Sequence, residues 1–408
     1  MEIKNSKSRL IGSACIIAGT CMGAGMLVLP LITAATGFVT ASVLLILVAL
    51  LMMATAFLII EVNLHFAPGV NFGNMAKGTL GRWGQVVSWF SFLLLMYALT
   101  AAYTSQASTL LGLWLGDIGI VLPVWLNSLI YIFAFGAFVY AGTSAVDGIN
   151  KFLLSVKGLA FIGLTFMIAP HVSMEDLSRA SSNFNYIWIT FPLLITSFGF
   201  HTVLPSIRVY LNSDKRSLRN VIIVGTLIPL IAYLIWEVIT LGTIPLYGPH
   251  SFDYIANNGG SVTELVQVYQ ASFHSTWLST FATGFTNLAI ATSFLGVTLG
   301  LFNFNQDSYN LTMRSPTHKI PVFIITFLPP FLFAVYYPNG FVMALGYASI
   351  FVVILLIVMP AMMAWKVRNE KGKNRLRSKL YLLTIVLIGV VIIGLQFAGD
   401  TGMLLRFH

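Results

Sequence analysis

The sequence predicts an all-α, polytopic membrane protein, and three observations carry that prediction. The chain has 408 residues, of which 57% are hydrophobic and only 9% are charged, and its mean hydropathy is +0.87. Soluble globular domains do not tolerate such a composition. Apolar stretches of about 20 residues, each long enough to cross a bilayer as a helix, recur along the whole chain. The lysines and arginines gather on alternate connections between these stretches.

We number the eleven apolar stretches span 1 to span 11. Their predicted limits are 10–36, 38–63, 85–113, 122–143, 150–170, 185–207, 218–246, 276–303, 320–337, 340–365 and 380–398. The chain then divides into an N-terminal tail 1–9, a first group of five spans 10–170, a loop 171–184, a second group of five spans 185–366, a basic loop 367–379, span 11 and a C-terminal tail 399–408.

The distribution of positive charge predicts the orientation. If the N-terminus is cytoplasmic, nearly all of the 22 lysines and arginines face the cytoplasm, most densely in the basic loop 367–379. Only Arg179 and Arg406 fall on the external side, and Lys157 lies within span 5. Such a bias places the N-terminus inside and the C-terminus outside. It also explains the formal net charge of +9 by attraction to the anionic inner leaflet, without a nucleic-acid partner.

Span 1 contains a run of small residues that predicts a broken helix. Gly19, Gly23 and Gly25 lack a β-carbon, and Pro30 removes a backbone hydrogen bond. Unwound backbone at membrane depth is tolerated only where it is buried in protein or lines a cavity. We therefore expect span 1 to be discontinuous and to hold a ligand by its main chain.

Span 6 contains a partial repeat of the same pattern. Val28-Leu29-Pro30 in span 1 corresponds to Val203-Leu204-Pro205 in span 6, and each follows glycine closely. Because the starts of the two groups are five spans apart, the second group enters the membrane from the opposite side. Paired broken helices in inverted repeats are typical of transporters that bind their ligand near the midplane. The alternative is that glycine and proline merely kink these helices.

The two breaks offer opposite charges. The second half of span 1 presents unpaired N–H groups that suit a carboxylate, at Thr20, Gly23, Ala24 and Gly25. The first half of span 6 ends in free carbonyls near Ser197 and Phe198 that suit an ammonium group. An amino acid is the simplest ligand that carries both groups.

Aromatic and polar residues around the breaks predict a pocket for a large, flat, partly polar side chain. The candidates are Tyr97, Tyr103, Gln106, Phe200, His201 and Asn287. With aromatic residues at 13% of the chain, packing is the alternative for any one of them. A core histidine with satisfied hydrogen bonds is the alternative for His201.

Two charged residues lie within spans. Lys157 could donate hydrogen bonds to the freed carbonyls near Gly19 and Met22, together with Thr292 and Ser293 of span 8, and its deprotonation would couple transport to protons. The alternative is a lysine that extends to the interface. Glu237 in span 7 is a second candidate titrating group.

Other function classes lack support in the sequence. An enzyme would need a convergent catalytic set, and the spans contain no His and Asp pairs at metal-ligand spacing. A passive channel would need polar residues along a continuous pore, whereas the polar residues of these spans cluster near the midplane. Cys15 and Cys21, six positions apart on one helix, cannot pair. We expect no metal, cofactor or disulfide.

Several segments resemble the bacterial aromatic amino acid permeases of the hydroxy and aromatic amino acid permease family, and the tyrosine-specific permeases most of all. They are 19–30 (GTCMGAGMLVLP), 96–103 (MYALTAAY), 196–201 (TSFGFH), 291–301 (ATSFLGVTLGL) and 337–348 (YPNGFVMALGYA).

The resemblance implies the leucine-transporter fold, with five plus five inverted helices and an added eleventh, in a bacterial inner membrane. It also implies proton-driven uptake. In the wider amino acid, polyamine and organocation superfamily a span 5 lysine can replace sodium, and Lys157 fits that place. Glu237 departs from the tyrosine permeases, where an uncharged amide is expected, so its role does not carry over.

From residues and resemblance together, we expect a secondary active transporter that imports tyrosine with a proton, by rocking spans 1, 2, 6 and 7 against spans 3, 4, 8 and 9. A tryptophan or broad aromatic permease and a sodium-coupled symporter of the same fold are the alternatives. We expect the monomer to be functional, although the sequence does not set the oligomeric state.

Overall fold

The computed structural model of the protein describes residues 2–179, 185–273, 276–308, 319–372 and 375–401. Parts of five predicted segments therefore lie outside the described residues: the N-terminal tail 1–9, the loop 171–184, the second group of spans 185–366, the basic loop 367–379 and the C-terminal tail 399–408, including Arg406.

The predicted class and number of spans are confirmed. Within the described ranges, ten helices are long and apolar enough to cross a membrane, and a bent pair of helices makes the eleventh span. The helices of the spans, in order, are Glu2–Cys21 with Gly25–Thr33, Phe38–Asn63, Phe72–Asp117, Val124–Ala141, Thr143–Ile168, Asn185–Thr196 with Leu204–Tyr210, Lys215–Leu241, Thr276–Ser308, Lys319–Tyr336, Phe341–Glu370 and Leu376–Asp400.

Several helices extend beyond the predicted limits of their spans. Span 5 begins at Thr143, directly after Gly142, whose φ of 110° ends span 4 and turns the chain. Span 3 is preceded by a helical segment from Phe72, and Gly81, with φ of 75°, separates the two. Hydropathy marks where the apolar run stops, whereas the helical hydrogen bonds continue through polar residues.

The connection between spans 7 and 8 contains two helices that the sequence did not predict. They are Phe252–Asn257 and Val262–Phe273. Span 7 correspondingly ends at Leu241, before its predicted limit. The helix Val262–Phe273 packs against spans 3 and 8, and Ser251 caps the shorter helix by accepting a hydrogen bond from the Tyr254 N–H.

The packing of the spans brings the two breaks to the centre of the bundle. The first half of span 1 packs on span 7, which also packs on span 2, while span 5 packs on span 8. Span 3 contacts spans 8, 9 and 10. Span 11 packs on spans 6 and 10 and leaves most of its side chains outside the core.

Candidate functional site

Span 1 is broken where its glycines predicted. The helix ends at Cys21 and resumes at Gly25, and its two pieces meet at 53°. A β-carbon on Gly23 would lie 2.4 Å from Ser293 Oγ. One on Gly25 would lie 3.5 Å from Ser197 Oγ. The glycine at position 23 therefore allows span 8 to approach the unwound backbone.

Span 6 is interrupted over residues 197–200. Its first helix ends at Thr196, and the chain becomes helical again through the short turn His201–Val203 and the helix that begins at Leu204. Pro205 lies in the first turn of that helix, where its missing N–H costs nothing. Among the described residues, span 1 is the only span made of two helices that meet at more than 40°. The break in span 6 is therefore the gentler one.

Lys157 contacts the broken end of span 1. Its Nζ donates to the Met22 carbonyl at 2.7 Å and to Thr292 Oγ1 at 3.2 Å. The side chain is buried, with 7% of its surface exposed, so it does not extend to an interface. A cation at the C-terminal end of a half-helix is also favoured by the helix dipole.

Ser293 contacts the other side of the same break. The Ala24 N–H donates to Ser293 Oγ at 2.8 Å, and Ser293 donates in turn to the Ala289 carbonyl at 2.9 Å. The Tyr103 side chain also interacts with Ser293. Two of the N–H groups expected to bind a carboxylate therefore have partners in this structure: that of Ala24 binds span 8, and that of Gly23 donates to the Cys21 carbonyl at 2.7 Å.

Tyr233 of span 7, which sequence reasoning missed, connects the two breaks. Its hydroxyl lies 2.6 Å from the Cys21 carbonyl and 2.8 Å from the Ser197 carbonyl. The side chain is fully buried, and its ring packs edge-on against Phe198 at 5.2 Å. Because Tyr233 precedes Glu237 by four residues, it shares the helix face of that conspicuous charge, and this spacing was the available signal.

The Ser197 side chain has spare hydrogen-bonding capacity. Its Oγ is buried and finds no hydrogen-bond partner in the part of the chain that the structure describes. Buried hydroxyls normally have a partner, and an unpaired one invites an explanation. The break in span 6 thus offers both a carbonyl and a hydroxyl to a further donor.

Glu237 lies away from Lys157, against the second half of span 1. Its two carboxylate oxygens are 3.1 and 2.8 Å from Thr33 Oγ1, which also lies 2.8 Å from the Leu29 carbonyl. A threonine hydroxyl has a single hydrogen to share among these acceptors. Glu237 is fully buried.

Four of the predicted site residues have other partners, and a fifth, Gly19, is exposed. Thr20 is also exposed and donates to the Ile16 carbonyl of its own helix. Tyr97 donates to the Ile325 carbonyl of span 9. Gln106 binds Thr263 and Val262 at the connection between spans 7 and 8, and Asn287 binds the Thr283 carbonyl of its own helix.

His201 and Phe200 are buried beside the break in span 6 and face span 2. His201 Nε2 is 2.8 Å from Thr55 Oγ1, and the rings of Phe200 and His201 lie 4.9 Å apart. His201 thus joins two helices through Nε2, whereas its buried Nδ1 has no hydrogen-bond partner among the described residues.

A separate cavity of about 250 Å³ lies away from the breaks, between the second half of span 1, span 6, span 10 and span 11. Thr190, Phe252, Gly346 and Gln396 are among its lining residues. No group of three His, Cys, Asp or Glu side chains suited to a metal occurs among the residues that the structure covers.

Comparisons with known proteins agree with this architecture. The chain matches the model of the tryptophan/tyrosine permease family over residues 6–396. It is 33% identical over 404 residues to the tyrosine-specific transport system 2 of Haemophilus influenzae, covering 98% of each chain. It is 33% identical over 384 residues to a tryptophan-specific transport protein of Pseudomonas aeruginosa, covering 92% of this chain and 91% of the relative. The chain therefore belongs to the tryptophan/tyrosine permease family.

Proposed function

We propose that the protein imports an aromatic amino acid, tyrosine foremost, together with a proton across a bacterial inner membrane. Relatives in the family are named as tyrosine and tryptophan transporters, which supports the substrate class. In this proposal the N-terminus is cytoplasmic, which the charge distribution supports. The observation that carries the mechanism is the contact of Lys157 with the broken end of span 1.

The substrate binds between the two breaks. Its carboxylate takes the N–H groups of residues 23–25, where it displaces the Cys21 carbonyl from Gly23 and the Ser293 hydroxyl from Ala24. Its ammonium group takes the carbonyl of Ser197, close to Phe198. A carboxylate is a better acceptor than a neutral hydroxyl, so this exchange favours the substrate. Tyr103 interacts with Ser293, which binds Ala24 at the carboxylate end, and this supports Tyr103 as a pocket residue.

Lys157 couples the substrate site to the proton. In the charged state its ammonium donates to Met22 and holds the first half of span 1 against spans 5 and 8. Loss of the proton removes the charge that favours this position at a helix C-terminus. The first half of span 1 is then released, and the site opens to the cytoplasm.

Hydrogen bonds support two groups of spans that move against each other. Arg208 of span 6 donates to Asn63 Oδ1 at 3.1 Å and to the Phe66 carbonyl at 3.0 Å, at the end of span 2. Tyr97 of span 3 donates to the Ile325 carbonyl of span 9 at 2.9 Å. In the proposed inverted repeat, spans 1, 2, 6 and 7 rock against spans 3, 4, 8 and 9.

Uptake of labelled tyrosine into proteoliposomes under an imposed pH gradient tests the coupling. Lys157→Met keeps the unbranched side chain up to the ε position but has no titratable group, so we expect concentrative uptake to lose its dependence on the gradient. Glu237→Gln is the matched variant, because it neutralises a second buried titratable side chain, which lies on span 7, and we expect it to keep that dependence.

Either variant can contradict the assignment. Uptake by Lys157→Met that stays fully dependent on the pH gradient would exclude Lys157 as the coupling residue. Loss of that dependence in Glu237→Gln alone would move the coupling to Glu237. Stimulation of the unmodified protein by a sodium gradient at constant pH would favour the sodium symporter, and competition by unlabelled phenylalanine and tryptophan would measure the breadth of the pocket.

A further inference from the structure

The hydroxyl of Tyr233 faces more acceptors than it can serve. A phenol has one hydrogen to donate, yet the carbonyls of Cys21 and Ser197 lie 2.6 and 2.8 Å from it. Cys21 is the last residue of its helix, and Ser197 directly follows a helix that ends at Thr196. Neither carbonyl therefore lies inside a continuous helix. The Cys21 carbonyl also accepts from the Gly23 N–H at 2.7 Å, so the Ser197 carbonyl is the one that is short of a donor whenever the Tyr233 hydrogen turns to Cys21.

The shortage of hydrogen-bond donors is greatest at Ser197. Its carbonyl shares the Tyr233 hydrogen, and its own side-chain hydroxyl is buried with no partner among the residues that the structure describes. At span 1, by contrast, Cys21 has the shorter contact with Tyr233, and the adjoining Met22 carbonyl is held by Lys157. An additional donor between the breaks would therefore gain most at Ser197, where leaving a buried acceptor without a partner is unfavourable.

We propose that Tyr233 is a positioning residue that selects for a protonated α-amino group in the substrate. Without ligand, the Tyr233 hydroxyl divides its hydrogen between the two breaks and holds them together. When the substrate arrives, its ammonium donates to the Ser197 carbonyl, and the Tyr233 hydrogen turns entirely to Cys21. Both carbonyls are then satisfied, and spans 1 and 6 stay joined around the ligand.

This inference rests on the proposed function, since it assigns the amine of an amino acid to the break in span 6. It goes further because it names Tyr233 as the residue that makes this break selective for a protonated α-amino group. The proposal also implies that N–H donors, and not positive charge alone, are what the site requires.

The test measures the binding of two ligands to purified protein in detergent: tyrosine, and 3-(4-hydroxyphenyl)propionate, which lacks the amine. Tyr233→Phe removes only the hydroxyl that holds the Ser197 carbonyl in place beside span 1. We expect tyrosine, whose ammonium needs that carbonyl, to bind at least tenfold more weakly while the affinity of the analogue changes less than twofold. The analogue gains nothing at Ser197 in either protein, so the loss should be confined to the ligand with the amine.

Tyr269→Phe is the matched control. Tyr269 is also a fully buried tyrosine, and its hydroxyl donates to Thr240 Oγ1 at 3.0 Å, away from the breaks. We expect this variant to bind both ligands as the unmodified protein does. Equal weakening of both ligands in Tyr233→Phe, unchanged or tighter binding of tyrosine, or the same selective loss in Tyr269→Phe would each overturn the proposal.

A measurement on the unmodified protein covers the case in which Tyr233→Phe does not fold. N,N,N-trimethyltyrosine keeps the positive charge but has no N–H donor, and we expect it to compete at least tenfold less strongly than tyrosine. Equal competition would overturn the proposal. If neither tyrosine nor any other aromatic amino acid binds the unmodified protein, the proposed function fails instead, and the two failures are distinguishable.

Discussion

The breaks in spans 1 and 6 share a sequence pattern but differ in how the protein satisfies them. Lys157, Ser293 and Tyr233, from three different spans, all bind the backbone at the break in span 1. At the break in span 6, Tyr233 binds the carbonyl of Ser197, whose hydroxyl has no partner within the described chain. The comparison suggests that a ligand displaces protein groups at span 1 and supplies a missing donor at span 6.

The largest expected effect comes from filling the close approach at span 1. A β-carbon in Gly23→Ala would lie 2.4 Å from Ser293 Oγ. Ser293 cannot rotate away without breaking its hydrogen bonds to Ala24 and Ala289. We expect tyrosine uptake into proteoliposomes to fall by more than tenfold, since real β-carbons do not tolerate such a contact and close packing transmits the strain.

Two further variants show whether the contact itself is responsible. Gly19→Ala is the control, because a β-carbon at Gly19 meets nothing within 4 Å, and uptake should stay within about twofold of normal since alanine favours a helix. Adding Ser293→Ala to Gly23→Ala removes the clashing oxygen and should restore part of the uptake. Full activity of Gly23→Ala alone would show that the break in span 1 is not tightly held.

A smaller effect is expected at span 6. Ser197→Ala removes a hydroxyl that makes no hydrogen bond within the described chain, so the free energy of unfolding should change by less than about 0.5 kcal/mol. The substrate ammonium has three N–H donors, so we expect it to donate to this hydroxyl as well as to the Ser197 carbonyl. Loss of that hydrogen bond should weaken tyrosine binding about three- to tenfold.

Ser128→Ala is the control for that variant. Ser128 is a fully buried serine of span 4 that donates to the Val124 carbonyl of its own helix. Its removal should leave the affinity for tyrosine unchanged. Unaltered binding by Ser197→Ala would mean that the spare capacity at span 6 is not used by the ligand, and the contrast between the breaks would lose its functional meaning.

The fold was largely predictable because each span carries its own signal. Apolar stretches of membrane length predicted the eleven spans, and three glycines before Pro30 predicted the break in span 1. The limits of spans 3, 5, 10 and 11 were less predictable, because helices continue through polar residues once their hydrogen bonds are established. The two helices between spans 7 and 8 carry no membrane-length apolar run, so hydropathy did not reveal them.

The contacts of the candidate site were predictable only where chemistry and spacing are unusual. A lysine inside a span is rare enough that Lys157 could be singled out. Tyr97, Gln106 and Asn287 were selected as polar or aromatic residues on plausible helices, but helix rotation, which sequence alone does not set, directs them to other partners. Tyr233 was missed because a tyrosine in a chain rich in aromatic residues is inconspicuous, and its importance comes from two carbonyls that are distant in sequence.

The most direct test of the account is an experimental structure of the protein with tyrosine bound, in a lipid nanodisc. We predict that the carboxylate lies within hydrogen-bond distance of the N–H groups of residues 23–25 and that the ammonium donates to the Ser197 carbonyl. Tyr233 should keep its contact with Cys21, and the Ala24 N–H should have left Ser293. Tyrosine bound elsewhere, for example in the cavity lined by Thr190, Phe252 and Gln396, with Ser293 and Tyr233 unchanged, would contradict the account.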